Sequence, residues 1–301
     1  MSKIAVIGSS NTDMVIKASR LPVPGETIIG GTFMMNPGGK GANQAVTIAR
    51  LGGQVSFITK TGNDLFGRQS IELYKTEGID TRYIFSSADN PSGVALISVD
   101  AKGENCILVA PGANGTLSVQ DIEKARAEIE AADLLLMQLE IPMATVEYAA
   151  DIAASKGVKV ILNPAPAQVL SPKLLKNLYV ITPNKSEAEL LSGITVKDWS
   201  SARRASDIIS AKGVDIVIIT LGAKGALVKE GTDYFEIPAV KVEAVDTTAA
   251  GDTFCGALCV GISEGKNIAD AVKFACQAAA IAVTRMGAQA SVPYRHEIEK
   301  Y

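Results

Sequence analysis

The chain has 301 residues, 47% hydrophobic and 20% charged, with a formal net charge of −3. That length can bury a sizeable core, as two ordinary domains or as one large α/β domain with an insertion. The mild acidity and the lack of any Lys/Arg-rich run argue against a nucleic-acid surface, and no apolar stretch approaches the ~20 residues of a membrane-spanning helix.

Lys3–Gly8 is a short, continuously apolar run, the pattern of a buried parallel strand. It leads into a polar stretch holding Asn11 and Asp13, a turn at Val23–Glu26 and an exposed strand over Thr27–Phe33. Asn36–Asn43 (NPGGKGAN) reads as a glycine loop before a helix over Ala42–Leu51. Val55–Thr59 is a strand, Gly62–Gly67 opens a helix running through Glu77, and Ser92–Val99 and Asn105–Ala110 are strands flanking a tight turn. Ser118 caps a helix to about Ala131. Strands are then expected at Leu134–Leu139, Val158–Leu162, Tyr179–Thr182 and Ile216–Thr220, alternating with helices at Met143–Ser155, Lys185–Leu191 and Ser200–Lys212. Ala226–Val240 forms antiparallel pairs, and two helices, 251–263 and 267–284, precede a short terminal helix.

This alternation predicts an α/β fold: a doubly wound, mostly parallel sheet with helices on both faces, in a single domain over 1–301. The stretches 13–38 and 92–108 are alternating rather than continuously apolar, and read as one small β-sheet covering the strand ends as a lid. The four cysteines show no Cys-x-x-Cys spacing and fit a reducing compartment. With no signal peptide before the first strand, a cytoplasmic protein is expected. The single histidine, His296, argues against Ser-His-Asp or Cys-His catalysis.

Ligands of open α/β sheets sit beyond the carboxyl ends of the strands. There the sequence places Asn11, Asp13, Glu140, Asn163, Asn184, Thr220 and Gly222. Asn suits turns in general, but Glu140 continues an apolar strand and is costly unless paired. Ala244–Phe254 (AVDTTAAGDTF) is a strand-to-helix junction with Gly251 where the helix starts, at a cost of about 0.5–1 kcal/mol relative to Ala. Bare amides at a helix N-terminus make an anion site, and Asp252 follows at once. An Asp in a first turn is often only a dipole partner. Beside an anion hole it is also the base that phosphoryl transfer to an alcohol needs. Gly38–Asn43 is neither a Walker A loop nor GxGxxG; its glycines suggest close approach or a hinge, with Lys40 and Asn43 offering donors to a polyol.

GGKGANQA at 38–45 and DTTAAGDTFCGAL at 246–258 resemble the two signature motifs of the ribokinase (PfkB) carbohydrate-kinase family. NPAPA at 163–167, TPNKSEAE at 182–189, ITLGAKG at 219–225 and AAAIAVTRMGAQASVP at 278–293 extend the resemblance along the chain. It implies ATP-dependent phosphorylation of D-ribose at its 5-hydroxyl, with Asp252 as base and the amides of Ala249, Ala250 and Gly251 as anion hole. Asn11, Asp13, Gly39, Lys40, Asn43 and Glu140 would hold the sugar. Asn184 and Glu187 would join a Mg²⁺–phosphate network, and Thr220, Gly222 and Gly225 would line the nucleotide site, with Cys276 at the adenine edge. Asp246, Thr248, Ala282, Arg285, Gly287 and Ser291 match loops that bind a monovalent cation, K⁺. Lys185 and Cys276 depart from the family's usual acidic and polar residues. A kinase for 2-deoxyribose or fructose is the alternative. A sugar-binding regulator without activity would have lost Asp252 or Gly251, and a dinucleotide oxidoreductase would need GxGxxG. Apolar residues on the lid strands (Val15, Ile28, Phe33, Val94, Leu96) together with the resemblance imply a homodimer joined through the lids.

Overall fold

The computed structural model describes residues 2–300. Strands are β1 (Lys3–Ile7), β2 (Asn11–Lys17), β3 (Thr32–Gly38), β4 (Gln54–Gly62), β5 (Ile84–Ser87), β6 (Gly93–Val99), β7 (Asn105–Ala110), β8 (Leu134–Met137), β9 (Lys159–Leu162), β10 (Leu178–Ile181), β11 (Ile216–Thr220), β12 (Ala226–Glu230) and β13 (Asp233–Ile237). Helices are α1 (Lys40–Arg50), α2 (Leu65–Thr76), α3 (Val119–Lys124), α4 (Arg126–Glu130), α5 (Met143–Ser155), α6 (Pro172–Lys176), α7 (Lys185–Ser192), α8 (Trp199–Ser210), α9 (Ala250–Ser263), α10 (Ile268–Ala282), α11 (Ala288–Ser291) and α12 (Arg295–Ile298).

Nine strands form one sheet in the order β13-β12-β11-β10-β9-β8-β1-β4-β5. All neighbours from β11 to β5 are parallel, and β12 and β13 close one edge antiparallel. Because strand side chains alternate between faces, the apolar runs feed two cores. Ala5, Ile7, Leu135, Met137, Val160, Leu162, Val217 and Ile219 pack beneath α3 to α8. Ile4, Val6, Leu134, Leu136, Ile161, Ile216 and Ile218 pack against α1, α9 and α10. α9 is buried on all sides from Asp252 to Gly261, which requires the small, apolar residues its sequence holds. From β1 the chain first winds outward to β4 and β5, then to β8 and beyond on the other side. The direction of winding reverses beside β1, the position where such sheets bind ligands.

The second sheet is separate and mixed, in the order β3-β2-β6-β7. β2 pairs antiparallel with β3 and parallel with β6, and β6 pairs antiparallel with β7. Its outer strand differs from expectation. Thr27–Gly31 is not strand, because Gly30 and Gly31 sit at φ +120° and +109°, and pairing begins at Thr32. It then continues through Asn36 and Pro37 to Gly38, so the expected glycine loop contracts to the single residue Gly39 at φ +89°. The helix after Ser118 divides at Ala125 into α3 and α4, with Ser118 and Asp121 forming a reciprocal cap. β5 and α6 were not expected from the sequence. β5 has few fully buried residues and α6 is a single turn, so neither carries a long periodic pattern.

Candidate active site

The ends of β9, β10 and β11 and the starts of α1, α7 and α9 converge on a cleft of about 220 Å³. Lys40, Asn163, Thr182, Asn184, Glu187, Thr220, Thr247, Ala249, Gly251, Asp252 and Cys255 line it. Close approach of α1 to β1 makes this possible. A Cβ on Gly41 would stand 2.6 Å from the Gly8 carbonyl carbon and the Ser9 nitrogen, so the helix start touches the strand end backbone to backbone.

Asp252 lies in the first turn of α9 and is 6% exposed. Asn43 Nδ2 donates to its Oδ2 at 2.9 Å, and Gln44 Nε2 donates to its Oδ1 at 2.9 Å. The helix start before it is unusual. Ala249, not Gly251, takes the left-handed conformation (φ 59°), the one non-glycine among the described residues to do so. That costs an L-residue about 1–2 kcal/mol and turns the chain so that first-turn amides face the cleft. Ala250 N–H is taken by Thr247 O at 3.2 Å. Among the described residues, the Ala249, Gly251 and Asp252 amides donate no hydrogen bond. Orphan amides at a helix N-terminus favour an anion. Of the three amides the family resemblance implied, two are therefore free, and Asp252 adds its own.

The Lys40 ammonium faces this end of the cleft. The Asp252 carboxylate, then Glu140 and Glu187, raise it above the ordinary lysine range despite burial. Glu140 is paired as its position demanded: it accepts from Ser9 Oγ at 2.5 Å and from the Lys40 backbone amide at 3.1 Å, so it caps α1. Asp13 and Asn11 stand at the start of β2, both buried. Burial, then the neighbouring Glu140 and Asp252 carboxylates, push the Asp13 carboxyl up to about 6, while Lys40 opposes the rise. Gly38 leaves room for it, since a Cβ there would lie 2.2 Å from Asp13 Oδ2. Asn11 Oδ1 accepts from Asn114 Nδ2 at 2.7 Å, and Asn114 Oδ1 in turn accepts from the Ser10 amide at 2.9 Å. Asn43 Oδ1 is buried without a hydrogen-bond partner among the described residues, a free acceptor beside the amide group that holds Asp252.

Asn184 and Glu187 form a reciprocal cap on α7. Glu187 N–H donates to Asn184 Oδ1 at 3.0 Å, and Asn184 N–H donates to Glu187 Oε2 at 2.8 Å. Glu187 is 5% exposed, and its carboxyl is raised mainly by burial. Both line the cleft. At the β11 end, Thr220 lines it as well, but Gly222 and Gly225 do not. Gly225 serves packing: a Cβ there would stand 2.0 Å from Ile237 O. Cys276 is also outside the cleft, buried among the apolar residues between α10 and the sheet, where burial pushes its thiol up to about 11.

Asp246, Thr248 and Gly287 come together behind the α9 loop. Asp246 Oδ1 accepts from the Thr248 amide and Oδ2 from the Gly287 amide, each at 2.9 Å. Burial pulls the Asp246 carboxyl upward, but hydrogen bonds from Thr248 and Gly287 outweigh it and hold the group below the usual range. Ser291 is buried and donates to Ala288 O at 2.8 Å, and the Ala282 carbonyl accepts from the Arg285 amide at 3.1 Å. The Arg285 side chain instead pairs with Glu297. Sequence reasoning missed Gln44, Asn114, Ser10 and Thr247. Gln44 and Ser10 adjoin expected site residues, but Asn114 lies in a 3-10 turn (Gly112–Thr116) with no motif to mark it.

Residues 1–295 match the family described as pfkB family carbohydrate kinase. A ribokinase of Haemophilus influenzae is 46% identical over 294 residues, covering 98% of this chain and 96% of that protein. A solved ribokinase from Thermotoga maritima aligns with a TM-score of 0.92 at 41% identity, over 100% of this chain and 99% of that one. The structure of an Arabidopsis thaliana ribokinase complexed with ribose and ATP aligns with a TM-score of 0.91 at 31% identity, over 99% and 98% of the two chains. The chain belongs to the pfkB family of carbohydrate kinases.

Proposed function

We propose that this carbohydrate kinase phosphorylates D-ribose at its 5-hydroxyl with ATP. The observation that carries the reading is the adjacency of free α9 amides and the Asp252 carboxylate in one cleft. The similarity to ribokinases, one of them complexed with ribose and ATP, supplies the substrate class. In this reading Asp252 accepts the sugar proton while the first-turn amides of α9 and the Lys40 ammonium take up charge on the transferred phosphoryl group. Asn11, Asp13, Gly39, Asn43 and Glu140 hold the sugar, with Asn43 Oδ1 supplying an acceptor for a hydroxyl. Thr220 lines the nucleotide side, and Gly222, Gly225 and Cys276, which lie outside the cleft, would border it.

Mg²⁺ fits the donor set at Asn184 and Glu187, because this ion is ordinarily held by one or two carboxylates plus substrate phosphates. Bound there, it would offset phosphate charge. A monovalent cation such as K⁺ fits Asp246, Thr248, Ala282, Arg285, Gly287 and Ser291 through oxygen atoms. Asp246 has no ion-pair partner among the described residues, so its charge is open to a cation, which would steady the Ala249 loop. A coupled ADP-release assay over ribose, 2-deoxyribose, fructose and adenosine, with and without K⁺, tests the reading. Preference for ribose supports it, and faster turnover of 2-deoxyribose or fructose would replace the substrate while keeping the reaction.

Asp13 gives this reading a pH signature. As an acceptor for sugar hydroxyls it works ionised, so kcat/KM for ribose is expected to fall as pH drops through about 6. The same raised value makes the folded state bind this proton more tightly than the unfolded chain. Asp13 therefore lowers stability as pH rises from its ordinary 3.8 to about 6, and adds nothing further above that. A pH profile of kcat/KM that is flat between 5 and 7 (about one unit either side of this value) would remove Asp13 from sugar binding.

The small sheet is read as a lid whose outer face joins two copies in a homodimer of a cytoplasmic enzyme. Ile16, Phe33, Met35, Leu96 and Leu108 share that face by register and are all exposed. Of the residues expected there from sequence, Phe33, Leu96 and the half-buried Val94 belong to it by register, whereas Val15 lies on the Asp13 face and Ile28 precedes the strand. A contiguous apolar face of this kind marks an interaction surface. Phe33→Asp with Leu96→Asp is expected to give monomers by sedimentation; a native chain that is already monomeric would overturn the dimer.

A further inference from the structure

Asp252 is held by two side-chain amides, and they are not equivalent. Asn43 keeps one acceptor free, its buried Oδ1, which has no partner among the described residues. Gln44 is sealed, with 0% exposure. Its hydrogen bonds run in one direction only. An ionised carboxylate accepts and cannot donate, so the Gln44 amide nitrogen must face Asp252 Oδ1. The second hydrogen of that nitrogen goes to Asn163 Oδ1 at 3.1 Å. Gln44 Oε1 is thereby turned the other way, where it accepts from Gln138 Nε2 at 2.5 Å. Asn163, its oxygen committed, donates through Nδ2 to Thr182 O at 3.4 Å. One negative charge thus sets the sense of a buried chain from Gln138 to the wall of the cleft.

We propose that Gln44 is a positioning residue for the phosphoryl transfer, fixing the rotation of the Asp252 carboxylate and tying it to Asn163. A carboxylate is free to turn about its Cβ–Cγ bond unless both oxygens are held. If a sugar hydroxyl engages Asn43 through that free acceptor, Gln44 is the donor to Asp252 that stays. Gln138 in turn holds Gln44, and the close fit of the strand tip keeps Gln138 in place, since a Cβ on Gly8 would stand 2.0 Å from Gln138 Oε1. The inference rests on Asp252 being the base, and the test keeps the two apart.

Gln44→Met preserves bulk and removes the hydrogen bonds. It is expected to lower kcat about 10–10²-fold, the loss that follows a small misplacement of a reacting group. KM for ribose and for ATP should stay within about threefold of native, because neither is contacted. In an Asp252→Asn background the same substitution should add no more than about twofold, as expected when one residue acts through the other. Gln44→Glu keeps the shape and the acceptor for Gln138 but turns an oxygen toward Asp252. It should be at least as slow, and it carries the test if the Met variant does not fold. A native kcat in whichever variant folds overturns the proposal. So does an undiminished loss in the Asp252→Asn background, which would place Gln44's effect elsewhere. Near-native turnover by Asp252→Asn alone would instead remove the base and leave the hydrogen-bond geometry of Gln44 without a catalytic consequence.

Discussion

Asp252→Asn is expected to lower kcat for ribose by about 10²–10⁴-fold, the usual contribution of a general base. The substitution is nearly isosteric, so the cleft keeps its shape. Its chemistry is wrong twice over. An amide cannot take the sugar proton at neutral pH, and its NH₂ must face either Asn43 Nδ2 or Gln44 Nε2, both of which now donate to this position. A buried donor left against a donor costs about 1–3 kcal/mol, so a lower Tm should accompany the loss of turnover. Steady-state kinetics at saturating ATP, with thermal melting alongside, separate the two effects. Turnover within tenfold of native (less than the smallest usual contribution of a base) would mean that another group takes the proton.

Gly41→Ala is expected to damage both fold and activity more than an ordinary added methyl. The new Cβ would meet backbone, 2.6 Å from the Gly8 carbonyl carbon and the Ser9 nitrogen and 2.7 Å from the Gly8 Cα. A side chain could rotate away; β1, held between β4 and β8, cannot. Relief must come from moving the start of α1 outward, against the bond from the Ala42 amide to Ser9 O at 2.9 Å. Overpacking of this kind costs about 1–3 kcal/mol or more, read as a drop in Tm. The displaced turn carries Lys40, Asn43 and Gln44, so kcat should fall even at temperatures where the variant is fully folded. Native kinetics in a folded variant would show that the site tolerates a shift of α1.

Much of the fold is legible in the sequence because its central strands are buried on both faces and read as continuous apolar runs, as in Lys3–Ile7 and Ile216–Thr220. The errors fall where the signal is short or overruled. Thr27–Gly31 begins with three β-branched residues like a strand but ends in two glycines at positive φ, and α6 is too short to show a period. At the site, motif spacing identified Asn43 and Asp252, which the fold joins by a hydrogen bond across 209 positions of chain.

What the chain by itself determined was local. Apolar runs made strands, Ser118 and Asn184 capped helices, and a cluster of small residues made the start of α9 tight enough to leave its amides bare. Which residue carries the strain was a tertiary outcome. Ala249 adopts the left-handed turn in a loop fixed from behind, where Val283 O accepts from Val245 and Asp246 and Asp246 holds Gly287. Tertiary structure also decided that Glu140 is paired, that Gln44 faces Asp252 and that Asn114 supports Asn11. These bonds join residues about a hundred or more positions apart, and no local pattern encodes a hydrogen bond whose partner arrives only when the sheet has formed.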